Sequence, residues 1–101
     1  KPGALRRFFE EEKTLPHTLI CFESPFRVGA ALKAAHEVLG DREAAVCIEL
    51  TKVHERVARG FLSELIPQFD GKPVKGEVTL VIAGANPKFT RETDADSRKE
   101  E

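Results

Sequence analysis

Residues 18–50 read TLICFESPFRVGAALKAAHEVLGDREAAVCIEL, and this stretch decides the fold. Thr18 to Phe22 is an apolar run of strand length. Ser24-Pro25 predicts a helix start, with the serine as N-cap and the proline at the first helical position, where its missing N–H costs nothing. Val28, Ala31, Leu32, Ala35, Val38 and Leu39 then recur at helical spacing, and Gly40 is a natural stop. Ala44 to Leu50 is a second apolar run. Strand, helix and strand in that order, with short connections, predict a βαβ unit whose strands are parallel. The expected class is therefore α/β, with a mixed, partly parallel sheet and flanking helices.

Outward from this unit, Leu5, Phe8 and Phe9 mark Ala4 to Lys13 as a short amphipathic helix. Thr51 to Arg59 predicts a turn leading into a short strand that ends at Gly60. Leu62, Leu65, Ile66 and Phe69 outline a further helix, limited by Pro67, and Asp70-Gly71-Lys72-Pro73 closes it. Glu77 to Ala83 is nearly all β-branched or leucine and suits a strand covered on both faces. Residues 1–85 form one α/β domain on this reading. Residues 86–101 hold Phe89 but no aliphatic side chain larger than alanine, so a disordered charged tail is expected there.

The length of 101 residues allows one domain. Absent methionine and a start at Lys1 suggest a piece of a longer gene product. Sixteen basic and 17 acidic residues leave a net charge of -1, so no global field draws in nucleic acid or an anionic membrane, and any phosphate site must be local. No apolar run approaches the roughly 20 residues that cross a bilayer. Glu10 to Glu12 follow Phe8 and Phe9 too closely for a signal peptide, and a cytoplasmic protein is expected. Cys21 and Cys47 sit in apolar runs as small hydrophobes, and cysteine and histidine spacing offers no metal site. A glycine-rich dinucleotide loop, a P-loop and a nucleophile elbow are all missing.

Two strand ends carry candidate chemistry. After the first strand, Glu23, Ser24 and Arg27 surround an expected helix N-terminus, an arrangement that could hold phosphate or carboxylate. The alternative is a routine cap with a solvated arginine. After the second strand comes Glu49-Leu50-Thr51-Lys52-Val53-His54-Glu55-Arg56, which is either a site or a charged turn. Lys52 and Arg27 could position an anionic group such as a phosphate, while Glu49 or Glu55 could orient a hydroxyl or pair with those cations. An ion-pair network of Glu49, Lys52 and Glu55 that merely holds the turn is the competing reading.

Glu23-Ser24-Pro25-Phe26-Arg27, then Glu49 to Glu55 in an ELTKxHE pattern, then Arg59-Gly60, Lys75-Gly76-Glu77 and Leu80 to Gly84 resemble the C-terminal half of the ribosomal RNA small subunit methyltransferase I family. That family lies within the tetrapyrrole methylase superfamily, and the similarity runs from Lys1 to about Gly84. It departs at Phe22 and Phe26, where the family usually has tyrosine and histidine, and at Phe61, where it usually has threonine. The resemblance implies the C-terminal domain of the tetrapyrrole methylase fold, with the N-terminal cofactor-loop domain absent and the chain inactive alone. It implies S-adenosylmethionine as cofactor, bound between domains, and transfer of its methyl group to the 2'-hydroxyl of a 16S rRNA cytidine in the 30S subunit by a homodimer. By motif position, the cofactor contacts fall on Phe22, Glu23, Ser24, Leu50 and Thr51; the charges at the two strand ends, not the motif, make Arg27 and Lys52 the candidates for positioning RNA phosphate, with Glu49 or Glu55 orienting a hydroxyl or pairing with those cations. Alternatives are half of a corrin or porphyrin methylase, or a noncatalytic dimerisation or RNA-docking module.

Overall fold

The structure, a computed structural model, describes residues 2–92. Helix α1 spans Pro2–Glu12, strand β1 Leu19–Glu23, helix α2 Val28–Leu39, strand β2 Asp41–Ile48, strand β3 Arg56–Phe61, helix α3 Leu62–Phe69 and strand β4 Val78–Ile82. A 3-10 turn at Pro87–Phe89 leads into β5, Thr90–Arg91. The sheet order is β1-β4-β2-β3, with β5 beside the start of β2.

The α/β class with flanking helices holds, but the parallel pairing does not. β4 lies between β1 and β2 and pairs antiparallel with both, matching Cys21 to Leu80 and Val46 to Leu80. β1 and β2 therefore point the same way, as a βαβ crossover requires, yet share no hydrogen bond. Every described ladder is antiparallel. The physical reason is that the strongly β-prone segment Val78–Ile82 occupies the gap and bonds to both neighbours.

Nor is β4 covered on both faces. Val78, Leu80 and Ile82 are buried, while Thr79 and Val81 between them are only half-buried. The buried set joins Leu19, Val46 and Ile48 in one core with Phe9 of α1, Leu32 and Ala35 of α2, and Leu62, Leu65 and Phe69 of α3. The helices thus sit on one face of the sheet. On the other face Ile20 pairs with Val81 and Phe22 with Thr79, and Ile20 and Phe22 remain 60% and 81% exposed.

The helix expected from Ser24 begins at Val28 instead, with Arg27 as N-cap. Ser24 and Pro25 form a turn in which Arg27 N–H donates to Ser24 O at 2.9 Å and Phe26 N–H to Ser24 Oγ at 3.2 Å. The carbonyl of Pro25, which a helix starting there would need for Gly29, accepts the N–H of Val74 at 3.1 Å. A long-range bond thus displaces the local cap.

Two buried charges sit just after Gly40, at the start of β2. Arg42 is 4% exposed and donates to the carbonyls of Leu39, Ala83 and Lys13, at 3.1, 3.1 and 2.6 Å. It therefore ties the C-terminal ends of α1 and α2, where helix carbonyls lack partners, to the end of β4. Asp41, also 4% exposed, accepts Ser63 N–H at 2.8 Å, Ser63 Oγ–H at 2.7 Å and Arg91 Nε–H at 2.7 Å. Phe61 has no side-chain acceptor with which to cap α3. Asp41 takes that role from β2 while Glu64 Oε1 accepts Phe61 N–H at 2.8 Å.

The tail expected from Asn86 carries structure as far as it is described. Asn86 Oδ1 accepts Lys88 N–H at 2.9 Å, capping the 3-10 turn, and Arg91 lies over the Phe61 ring, 4.2 Å from its centroid. Local apolar content missed this because the anchor is an ionic and aromatic clasp on distant residues. Residues 93–101 lie outside the described part.

Candidate functional site

The two strand-end motifs meet because β4 brings its N-terminal end between them. β2 ends in a turn that places Glu49 at φ 53° and Thr51 at φ 67°, a left-handed backbone that side chains rarely adopt, least of all a β-branched one. Glu49 N–H donates to Glu77 O at 2.9 Å, and Glu77 N–H returns to Glu49 Oε2 at 3.0 Å. Gly76, at φ 110°, makes this possible, because a Cβ there would fall on the Glu49 side chain.

Lys52 N–H donates to Glu49 O at 2.9 Å, closing the turn. Its ammonium lies 3.1 Å from Glu77 Oε1 and 3.5 Å from Glu49 Oε2. The hydrogen bond from Glu77 N–H, with Lys52 beside it, holds the Glu49 carboxyl below its ordinary range. The two glutamates raise the Lys52 ammonium above its ordinary value, the bond to Glu77 first. At the end of β1, Glu23 Oε1 accepts Ser24 N–H at 2.7 Å and Arg27 Nε–H at 3.3 Å. Arg27 thus faces a carboxylate rather than standing free beside a helix N-terminus. Nearby, burial and the charge of Glu23 push the Cys21 thiol up to about 11, which leaves it a packing residue rather than a nucleophile.

These elements surround an open cavity of about 550 Å³ lined by Phe22, Glu23, Pro25, Glu49, Lys52, Gly76, Glu77, Val78 and Thr79. Of the residues expected from sequence, Phe22, Glu23, Glu49 and Lys52 converge here. Ser24 and Arg27 line an adjoining groove of about 520 Å³ between α1 and β1, which also touches Phe22 and Glu23. Leu50, Thr51 and Glu55 do not line the cavity. Glu55 instead accepts Thr51 N–H at 2.7 Å, bracing the turn from behind.

Gly76, Glu77, Val78 and Thr79 are the lining residues that reasoning about single motifs missed, since only pairing of β4 with both strands puts them there. The Lys75-Gly76-Glu77 string was the available signal. Three carboxylates and one ammonium face the cavity. The wall therefore favours a ligand that carries positive charge and hydroxyl donors beside an apolar or aromatic part. No described helix is long and apolar enough to cross a membrane.

No family model matches the chain. Individual proteins do. A ribosomal RNA small subunit methyltransferase I of Streptococcus pyogenes serotype M1 is 36% identical over 96 residues, 95% of this chain and 33% of the relative. Proteins of the same name from Mycobacterium tuberculosis H37Rv and Mycobacterium bovis are each 49% identical over 88 residues, 86% of this chain and 30% of theirs. The chain thus spans about a third of the length of the curated relatives it matches.

Proposed function

We propose, on the premise that this chain belongs to the ribosomal RNA small subunit methyltransferase I family and matches the C-terminal part of its members, that its open cavity is one wall of a methyl-transfer site acting on small-subunit rRNA. The premise carries the tetrapyrrole methylase fold with it. The acceptor in this reading is the 2'-hydroxyl of a 16S rRNA cytidine, presented by the 30S subunit to a homodimer in the cytoplasm. The donor is S-adenosylmethionine, which when bound supplies an electrophilic methyl group on a positively charged sulfur.

One observation supports the reading above others: the ESPxR-like and ELTKxHE strings, 26 positions apart from Glu23 to Glu49, face the same cavity. The residues present fit the donor. Phe22 offers an exposed ring for a flat heterocycle, Val78 and Thr79 form a partly apolar floor, and Glu23 and Glu49 supply acceptors for ribose hydroxyls and a favourable field for a cation. Leu50 and Thr51, outside the cavity lining, act in this reading only by shaping the turn that presents Glu49 and Lys52, and Ser24 by shaping the turn that follows β1. On the acceptor side, Arg27 and Lys52, each held by carboxylates, orient rather than freely attract the RNA, with Glu49 and Glu55 keeping the turn in shape. One wall does not make a closed site, so the chain alone is inactive on this reading.

The full-length protein, given tritiated S-adenosylmethionine and 30S subunits, is the test. Label in an alkali-resistant dinucleotide is the expected result, because a 2'-O-methyl group blocks alkaline cleavage of the adjacent phosphodiester. Label released as a mononucleotide, or none in RNA, overturns the reading. A corrin or porphyrin methylase gains no support from the relatives named above, which carry the RNA enzyme's name.

A further inference from the structure

On the far side of the Glu49–Glu55 turn lies a second cavity, of about 400 Å³, and its charge is the opposite of the first. His54, Arg56, Lys72 and Lys75 line it together with Gln68 and the Phe69 ring, and no carboxylate lies in its wall. Among the described residues none of these four bases forms an ion pair; Arg7, Arg42, Arg59 and Lys88 form none either but lie outside this cavity, whereas Arg6, Lys13, Arg27, Lys33, Lys52 and Arg91 each sit on a carboxylate. In a chain with net charge -1, leaving this cluster unneutralised sets up a local positive field where the whole molecule has none.

The bases are also held in place. Arg56 lies over the Phe69 ring, 5.7 Å from its centroid, and Lys72 Nζ donates to Pro67 O at 3.2 Å. The turn carrying the two lysines is fixed at both ends, by Lys72 N–H to Phe69 O at 3.0 Å and Val74 N–H to Pro25 O at 3.1 Å. Such anchoring lowers the ordering cost of binding an anion. Glu55, the nearest acid in sequence, turns its carboxylate to the Thr51 amide instead.

We infer that His54, Arg56, Lys72 and Lys75 form a phosphodiester-binding site for the RNA backbone, separate from the methyl-transfer cavity. The inference rests on the rRNA substrate proposed above and moves the phosphate contacts away from Lys52 and Arg27. The two cavities share a ridge. Lys75 lines one and Gly76 the other, and Lys52 and His54 lie on opposite sides of the same turn. An RNA strand crossing that ridge rests its phosphates on the basic side and turns a nucleotide toward the acidic side, where phosphate itself is repelled by Glu23, Glu49 and Glu77.

The test is fluorescence anisotropy of a labelled single-stranded small-subunit rRNA fragment with the full-length protein across a salt series. Lys72→Gln with Lys75→Gln should lower the slope of log K against log salt by roughly 1.4, at about 0.7 for each lost phosphate contact on a single strand. Lys72→Arg with Lys75→Arg should restore it, and Arg6→Gln, remote from the cavity, should leave it as in wild type. An unchanged slope in the glutamine pair overturns the site. So does loss of self-association by light scattering with RNA affinity intact, which makes the patch a protein contact. Methyl transfer is followed in parallel. A wild-type protein that binds with full slope but transfers no methyl group defeats the proposed activity alone, and one that transfers while the glutamine pair keeps its slope defeats this site alone.

Discussion

Arg91 Nε sits 2.7 Å from Asp41 Oδ2, joining residues 50 positions apart. The bond clasps the end of the described chain onto the carboxylate that also caps α3, and Arg91 completes the group by donating to Ser63 Oγ at 2.6 Å. Asp41→Ala removes the acceptor for all three donors, leaving Ser63 N–H at a helix N-terminus without its partner. A loss of about 2–4 kcal/mol in urea unfolding is expected. Arg91→Ala should lower stability by less, since its side chain is nearly half exposed and Ser63 still satisfies Asp41. Equal losses would show that the clasp, not the cap, sets the effect.

The same carboxylate sets an acid limit. Burial pushes the Asp41 carboxyl up, but the bonds from Arg91 and Ser63 outweigh it and hold the group below its ordinary value of 3.8. A depressed carboxyl contributes its full stability above the unfolded value and loses it as pH falls through the folded one. Urea midpoints of wild type and Asp41→Asn, followed from pH 6 downward, should keep a constant gap to about pH 4 and converge below it. A gap that widens on acidification contradicts the assignment.

Gly76→Ala tests the meeting of the strand ends. Both the φ of 110° and the Glu49 side chain oppose a Cβ there, so a loss of about 1–3 kcal/mol is expected. Gly71→Ala, at φ 68° with open space around it, carries only the backbone cost of about 1–2 kcal/mol. Hydrogen exchange gives a sharper signature: the Glu77 amide should lose protection in Gly76→Ala and keep it in Gly71→Ala.

Two phenylalanines separate core from surface. Phe9 is fully buried and Phe22 is 81% exposed. Phe9→Ala should cost about 3–5 kcal/mol, and Phe22→Ala within about 0.5 kcal/mol. Calorimetry of S-adenosylmethionine on full-length protein should reverse that order, with the larger loss of affinity at Phe22.

The helices were legible because Leu5, Phe8 and Phe9, the Val28 to Leu39 stripe and Leu62 to Phe69 each repeat at helical spacing, a signal that lies within one element. The sheet order was not, because nothing local to Leu19–Glu23 or Ala44–Leu50 records that residues 78–82 will come between them. For the same reason the cap read at Ser24 yielded to the bond from Val74 to Pro25. The burial of Asp41 and Arg42 was not legible either, since the donors and acceptors that let a charge be buried come from Ser63, Arg91, Lys13 and Ala83. At the candidate site, Glu23, Glu49 and Lys52 were marked by dense polar groups at strand ends, whereas Phe22 was marked only by the family resemblance. Gly76 and Glu77 needed the third dimension.

The central place of β4 bears on the order of events as the polypeptide leaves the ribosome. β1 emerges early with no neighbour to pair with, and β2 can form only its hairpin with β3. The unpaired edge of β1 must wait for Val78–Ile82 to be synthesised, an interval in which that open edge is free to pair with other chains or be held by a chaperone. One late segment then closes the sheet, completes the core and delivers the Glu77 amide to Glu49. A translation arrest before residue 77 therefore leaves the β2–β3 hairpin and the helices without Val78, Leu80 and Ile82 in the core and without the Glu77 amide beside Glu49.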